Sequence, residues 1–470
     1  MSGAVQVQPT GIAGLLAVSL PVHHDARGWF KENWQRAQMT AAGLPDFRPV
    51  QNNVSFNAVA GTTRGFHAEP WDKYVSVAAG RVFAAWVDLR EGPGFGAVHW
   101  QVLDPSQAVF VPRGVANAFQ ALEHGTVYSY LVTRHWSQQA TASYSYVNLA
   151  DAQLAVPWPL GLDPALVSAA DRAHPPLAHA LPVAPGRIVV LGAGGQLGQE
   201  FARRARQQPQ LVVLDRAALD LSSRESIEQL DLQGVDQVIN AAAMTDVDRA
   251  ESPAGRREAW QANAAGPAWL AERCAQAQVR LLQVSTDYVY DGRDPEASEH
   301  SPVAPLGAYG QSKAAGDLAV LAAGPNIVLR TSWLLGRGRN FASTMHALAV
   351  QGRPVQVVDD QFGRPTSTRL LADGLLHLVQ LPQAAGVYHL QGSGASMSWY
   401  HVARLVYELA GAPAALVQPV SARQHASRHP QAAPRPAFSV LGMQRLEQTG
   451  FQPVQGLQLL REGAGLPGSF

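Results

Sequence analysis

Cysteine is almost missing from this chain: Cys274 is the single one among 470 residues. That excludes an intramolecular disulfide and a cysteine-built metal site, and a reducing compartment is expected. Net charge is missing as well. The 36 basic and 36 acidic residues cancel to +0, so no basic field exists for nucleic acid or an anionic membrane surface. Charged residues make up only 15% and hydrophobic residues 47%, a balance that suits a globular protein and argues against disorder. No run of about 18 apolar residues marks a membrane span. Residues 1–10 have no charged start followed by an apolar run, so no signal peptide is expected. Internal repeats and low-complexity tracts are also lacking. The expectation is a cytoplasmic protein with no membrane contact, no nucleic-acid partner and no metal site.

What is present starts with length. A chain of 470 residues is too long for one ordinary core, and two or three domains are expected. The most informative stretch is 187–198, Arg-Ile-Val-Val-Leu-Gly-Ala-Gly-Gly-Gln-Leu-Gly. Its apolar residues 188–191 read as a short buried strand. Gly192, Gly194, Gly195 and Gly198 follow, and 199–205 reads as a helix. A strand, a glycine turn and a helix start bring backbone N–H groups up to a pyrophosphate. A dinucleotide-binding fold begins at its first strand, so a separate folded unit is expected before it. Residues 173–186 are rich in Pro, Ala and His and read as an extended, stiff linker. The expected domains are 1–184, with this linker at its end, and 185–470.

Residues 1–150 read as many short strands, among them 73–78, 81–87, 98–103, 108–111 and 127–132, with Gly, Pro, Asp and Ser between them. The pattern favours an antiparallel sandwich or jelly roll. Several strings occur in order: Asp25-Ala-Arg-Gly-Trp-Phe-Lys-Glu32, Gln51-Asn-Asn-Val-Ser55, Arg64-Gly-Phe-His67, Gly80-Arg-Val-Phe83, Val87-Asp-Leu-Arg90, Phe110-Val-Pro-Arg-Gly114 and Tyr130-Leu-Val-Thr133. As a set, over about residues 8–180, they resemble the cupin-fold dTDP-4-dehydrorhamnose 3,5-epimerases. Such chemistry takes a proton from beside a ketone and returns one on the other face. It needs a base, an opposing acid, and a cation or donor for the enolate oxygen. The resemblance implies His67 as the base, Asp171 as the carboxylate that orients it, Tyr130 as the acid and Lys73 beside the enolate. It also implies Arg27, Glu32, Gln51, Asn53 and Arg64 as holders of the nucleotide diphosphate, and a homodimer through this half. The chain departs from the family at Asn117, where His is usual, at Ala84, where Asp is usual, and at Ala68-Glu69, where Phe-Gln is usual.

In the second half strand and helix patterns alternate. Strands are expected at 211–214, 235–240, 279–284 and 326–331, and helices at 222–230, 254–278 and 311–323. This order implies a Rossmann-type, doubly wound parallel sheet with its ligand at the carboxyl ends of the strands. Strand two ends at Asp215-Arg216. An acid there suits the ribose of NAD and an arginine the extra phosphate of NADP, so the choice stays open. Asp220 is placed near the adenine. Gly192, Gly194, Gly195, Gln196 and Leu197 are assigned to the cofactor turn, and small Ala241 and Ala242 let a flat cofactor pass. Tyr309 and Lys313 lie four apart on one helix face. The ammonium is expected to lower the phenol pKa and to hold the nicotinamide ribose, while Tyr309 gives a proton to a ketone and Thr286 offers a second donor.

Together with Ala241-Ala-Ala-Met-Thr-Asp-Val-Asp-Arg-Ala-Glu251, Ser285-Thr-Asp-Tyr-Val-Tyr-Asp-Gly292, Arg330-Thr-Ser-Trp333 and Asp359-Asp-Gln-Phe-Gly-Arg-Pro-Thr366, this set resembles the extended short-chain dehydrogenases. Within them it is similar to the dTDP-4-dehydrorhamnose reductases. The resemblance covers about residues 187–465. It implies Thr286, Tyr309 and Lys313 as the catalytic set, NADPH or NADH as cofactor, and a dTDP-4-keto-6-deoxyhexose as substrate. Trp333 is read either as a sugar contact or as packing, and Arg364 either as a phosphate contact or as a surface salt link. Helices at 341–351 and 398–409 and a strand at 386–390 are expected in a small α/β cap. The reading is a bifunctional chain that epimerises and then reduces the nucleotide sugar. Ala84 and Asn117 motivate a competing reading, a reductase whose cupin half only binds or dimerises. A further alternative is a non-enzymatic nucleotide-binding regulator.

Overall fold

In the first half, short apolar runs broken by turn residues pair antiparallel and stack as two sheets. The computed structural model describes residues 4–463 apart from 46, 48, 137, 382 and 383; residues 1–3 and 464–470 of the two expected domains lie outside the described residues. The chain divides into two units, Met1–Pro185 and Gly186–Phe470.

The N-terminal strands are β1 (Gln6–Pro9), β2 (Leu16–Ser19), β3 (His23–Asp25), β4 (Gly28–Phe30), β5 (Gln51–Asn57), β6 (Thr63–Ala68), β7 (Lys73–Ala79), β8 (Val82–Asp88), β9 (Val98–Leu103), β10 (Gln107–Val111), β11 (Val115–Ala121), β12 (Thr126–Val132) and β13 (Ser145–Tyr146). One sheet runs β1-β2-β10-β7-β12-β5 and the other β13-β6-β11-β8-β9. This is a β-rich, cupin-like unit. Val75, Val77, Val109 and Val111 from the first sheet meet Val82, Ala84, Trp86 and Phe119 from the second in the inner core. Every residue of β8 is buried, because Phe83, Ala85 and Val87 pack against an outer cluster with Phe66, Val147 and Leu154. That is why its sequence is apolar on both faces and does not alternate. The structure adds two short α-helices to the all-β expectation, Arg36–Ala41, capped where the Gln35 side chain accepts from the Gln38 N–H at 2.6 Å, and Ala169–Arg172, capped by Ser168.

The expected linker is not free of the sheets. Within 173–185, Leu177–His179 form a 3-10 turn, Ala180 is buried in the outer cluster, and Val183 bridges Arg90. Proline blocks regular pairing here without preventing burial.

The C-terminal sheet holds β14 (Arg187–Leu191), β15 (Leu211–Leu214), β16 (Val235–Asn240), β17 (Arg280–Thr286), β18 (Ile327–Thr331) and a sixth strand, Gly386–His389, in the order β15-β14-β16-β17-β18-sixth. All neighbours are parallel, and two apolar clusters cover the two faces. This is a Rossmann-like fold, and its order reverses beside β14, where such sheets bind ligands. The strand expected in the cap at 386–390 thus belongs to the main sheet. The expected helix 254–278 is interrupted: Pro253–Trp260 and Gly266–Gln276 flank a wider π-turn, Gln261–Ala265. There the buried Asn263 donates to the Met244 carbonyl at 2.9 Å and to Ser312 at 3.1 Å, so the bulge ties the helix to the loop after β16. The cap packs helices Phe341–Val350 and Trp399–Leu409 with the parallel pair Val355–Val358 and Val417–Val420.

Candidate active sites

The glycine turn after β14 is shaped by close approach. Gly192 sits at φ +96°, and a Cβ there would stand 2.8 Å from the Ala242 nitrogen. A Cβ on Gly198 would stand 2.0 Å from the Gly192 carbonyl oxygen. Gly194 has nothing within 4 Å of its Cβ position, so the turn is packed below and open above. It opens on a cavity of about 1230 Å³. Gly192, Gly194, Gly195, Gln196 and Leu197 line it at the turn, Asp215, Arg216 and Asp220 at the end of β15, and Ala241 and Ala242 after β16. An open glycine cradle at a helix start, in a cavity this size, fits a dinucleotide. Arg216 is exposed and lies 3.3 Å from Asp220, while Asp215 accepts from the Ala218 N–H at 2.9 Å.

Thr286, Tyr309, Lys313 and Trp333 line the same cavity. Lys313 Nζ donates to the Val284 carbonyl at 2.7 Å, and burial pulls its pKa down to about 8 against the charge of Asp317. Tyr309 makes a hydrogen bond with Thr286, yet burial and the Asp287 charge raise its phenol above the usual range. The expected acidified phenol is therefore corrected: desolvation outweighs any help from the ammonium, and Tyr309 stays protonated. Trp333 is a packing residue at the cavity wall. It lines the cavity, and its ring stacks on Trp399 at 3.6 Å with 14° between planes. Its backbone is held at φ +44°, a strained position for a tryptophan. Arg364 pairs with Glu296 at 3.1 Å and does not line the cavity, so it is the salt link.

Two carboxylates here were not assigned from sequence. Asp287, next to Thr286, is fully buried and pushed up to about 7 by desolvation. Asp317 accepts from Ser285 at 2.9 Å and from Arg330 at 3.1 Å, and Arg330 reaches the Tyr290 hydroxyl at 2.6 Å. The usable signal for Asp317 was its spacing: an acid four residues past Lys313 shares that helix face.

In the N-terminal unit, His67 on β6 places Nε2 3.0 Å from Asp171 Oδ1. Asp171 also accepts from the Gly65 N–H at 3.1 Å, and its own N–H is capped by Ser168 at 3.0 Å. A Cβ on Gly65 would stand 2.9 Å from the Asp171 carboxyl carbon, so glycine lets the acid come in behind the histidine. His174 joins them, with Nε2 3.9 Å from the same carboxylate oxygen and its ring stacked on Tyr146. Lys73, buried at the start of β7, is 2.5 Å from Glu69 and 3.4 Å from the His67 carbonyl. Tyr130 on β12 is half-buried, and burial with the Glu69 charge raises its phenol. Gln51 donates to Asn53 at 2.8 Å on β5, and Arg64 to Asn57 at 3.1 Å. Arg27 is exposed on the β3–β4 turn and pairs with Asp25, and Glu32 accepts from Gln38 at 3.3 Å. Asn117 is the strand partner of His67 and accepts from the Tyr128 hydroxyl at 3.2 Å, while Ala84 is core.

A parallel nucleotide-binding sheet whose cavity unites a glycine turn with Thr286, Tyr309 and Lys313 defines a short-chain-type reductase class, here preceded by a cupin-like unit. The chain belongs to the family described as RmlD substrate binding domain, which matches residues 186–459, and residues 9–179 match the dTDP-4-dehydrorhamnose 3,5-epimerase family. A protein named RmlC homolog from Streptococcus pyogenes is 50% identical over 179 residues, covering 37% of this chain and 90% of its own length. A dTDP-4-dehydrorhamnose reductase from Mycobacterium tuberculosis is 40% identical over 278 residues, 57% of this chain and 89% of its own. The crystal structure of a dTDP-4-dehydrorhamnose reductase from Bacillus anthracis in complex with NADP has a TM-score of 0.54 and 30% identity. It covers 59% of this chain and 97% of its own.

Proposed function

We propose that this chain carries out two consecutive steps of dTDP-L-rhamnose formation: 3,5-epimerisation of dTDP-4-dehydro-6-deoxyglucose in the first unit and NADPH-dependent reduction of the 4-ketone in the second. The observation that carries the proposal is the presence, in one chain, of a near-complete length of each single-function relative. The epimerised ketone is labile, and a reductase on the same chain consumes it.

In the first unit His67, oriented by Asp171, takes the proton beside the ketone. The Lys73 ammonium stabilises the enolate oxygen, and Tyr130, kept protonated, returns a proton on the other face. Gln51, Asn53 and Arg64 hold the diphosphate. The hairpin carrying Arg27, with Glu32 just after it, is exposed. So is one face of β5, where Val54 is 64% and Phe56 65% exposed. An apolar edge strand of this kind favours pairing with a second copy, and we assign the homodimer to this unit.

In the second unit NADPH supplies the hydride. The glycine turn holds its pyrophosphate and Arg216 meets the extra phosphate. Lys313 holds the ribose near Tyr309, and Tyr309 with Thr286 donates to the ketone oxygen. Trp333 and Trp399 wall the sugar. The described residues contain no helix long and apolar enough to cross a membrane, and a cytoplasmic location accords with a nucleotide sugar and NADPH.

The test separates the steps. His67→Asn should abolish solvent deuterium uptake at C3 and C5 while leaving the reductase able to use pre-epimerised ketone. Tyr309→Phe should do the reverse. Loss of both steps in either variant contradicts the division of labour.

A further inference from the structure

The first unit holds a carboxylate that the chemistry above does not use. Glu69 lies two residues past His67, just beyond the end of β6, where the Gly114 N–H still donates to its carbonyl at 3.1 Å. Residues two apart in an extended segment face one side, so the carboxylate follows the imidazole. It meets Lys73, with Oε2 2.5 Å from Nζ, and only 12% and 5% of the two side chains is exposed. Tyr128 and Tyr130 from β12, Tyr144, and Tyr146 from β13 all feel its charge. Arg64 acts on Tyr130 from outside, and Asp72, next to Lys73, accepts from the Arg113 N–H at 2.8 Å.

Resting on the epimerase reading, we propose that Glu69 is the positioning residue for Lys73: the buried counter-charge whose carboxylate holds the lysine in place and aims its ammonium at the oxygen where enolate charge develops. Burying a charge is costly unless it is paired. The Glu69 carboxylate supplies that pairing at a fixed distance, from a backbone position held by the Gly114 N–H. With the pair in place the ammonium still has donors to spare for the oxygen.

The test measures deuterium uptake at C3 and C5 by the full chain without NADPH. Glu69→Gln keeps size and removes charge. It should lower kcat about tenfold to a hundredfold with little change in KM, because the ammonium is no longer held toward the oxygen. Glu69→Asp, which keeps the charge, should recover part of the lost kcat. On a Lys73→Met background Glu69→Gln should change the rate by less than about twofold, because the two residues act as one unit. An E69Q kcat equal to that of the unsubstituted chain overturns the assignment, as does an equal loss with and without Lys73. No uptake by the unsubstituted chain overturns the epimerase reading itself, and this inference with it.

Discussion

The phenol of Tyr309 and the ammonium of Lys313 are both buried in the reductase cavity, and burial drives their pKa values in opposite directions. Desolvation raises Tyr309 and lowers Lys313 to about 8, so both groups are neutral or nearly so at the alkaline end. In the proposed mechanism the protonated lysine holds the ribose, and its depressed pKa means that form is lost as pH rises through about 8. The rate of ketone reduction should therefore fall on that limb, and a flat profile from pH 7 to about 9.5 would exclude Lys313 from the step. Tyr309→Phe should cost about 10²–10⁴ in turnover while NADPH still quenches protein fluorescence on binding. Normal turnover would remove the proton donor. At this scale the residue types were legible in the sequence, since Tyr309 and Lys313 share a helix face and His67 and Asp171 each sit in a recognisable string. The environment was not. No local spacing reveals that desolvation would outweigh an adjacent ammonium, that Asp287 would be raised to about 7, or that Glu69 would find Lys73 across a turn.

At the scale of elements the glycine turn is the joint on which the cofactor site depends. A methyl on Gly198 would press on the Gly192 carbonyl, and overpacking of that kind costs about 1–3 kcal/mol or more. Gly198→Ala should lower both the melting temperature and NADPH affinity, whereas Gly194→Ala, which meets open space, should spare the melting temperature and weaken NADPH alone. Equal effects of the two would contradict the packed-below, open-above description. The strands of both units were legible because each is a short apolar run between turn residues, and 211–214 and 235–240 match the observed β15 and β16. The π-turn at Gln261–Ala265 was not, because its cause is tertiary: Asn263 bonds to Met244 and Ser312, and no helical periodicity encodes that. The placement of Gly386–His389 as a sixth strand beside β18 was equally hidden, since a four-residue strand says nothing about its neighbour.

For the whole molecule, the change from antiparallel short strands to an alternating strand and helix pattern announced two architectures, and the glycine turn at 192–198 fixed where the second begins. Neither family resemblance alone spans the chain, and two consecutive steps require both halves to be working enzymes. Incubating the full chain with dTDP-4-keto-6-deoxyglucose and NADPH in deuterated water, and reading the product by NMR, tests this directly. The expected product is a 6-deoxy sugar reduced at C4, inverted at C3 and C5, and deuterated at both inverted carbons. A reduced product with protium at C3 and C5 and unchanged configuration would contradict it, leaving a reductase joined to a silent barrel.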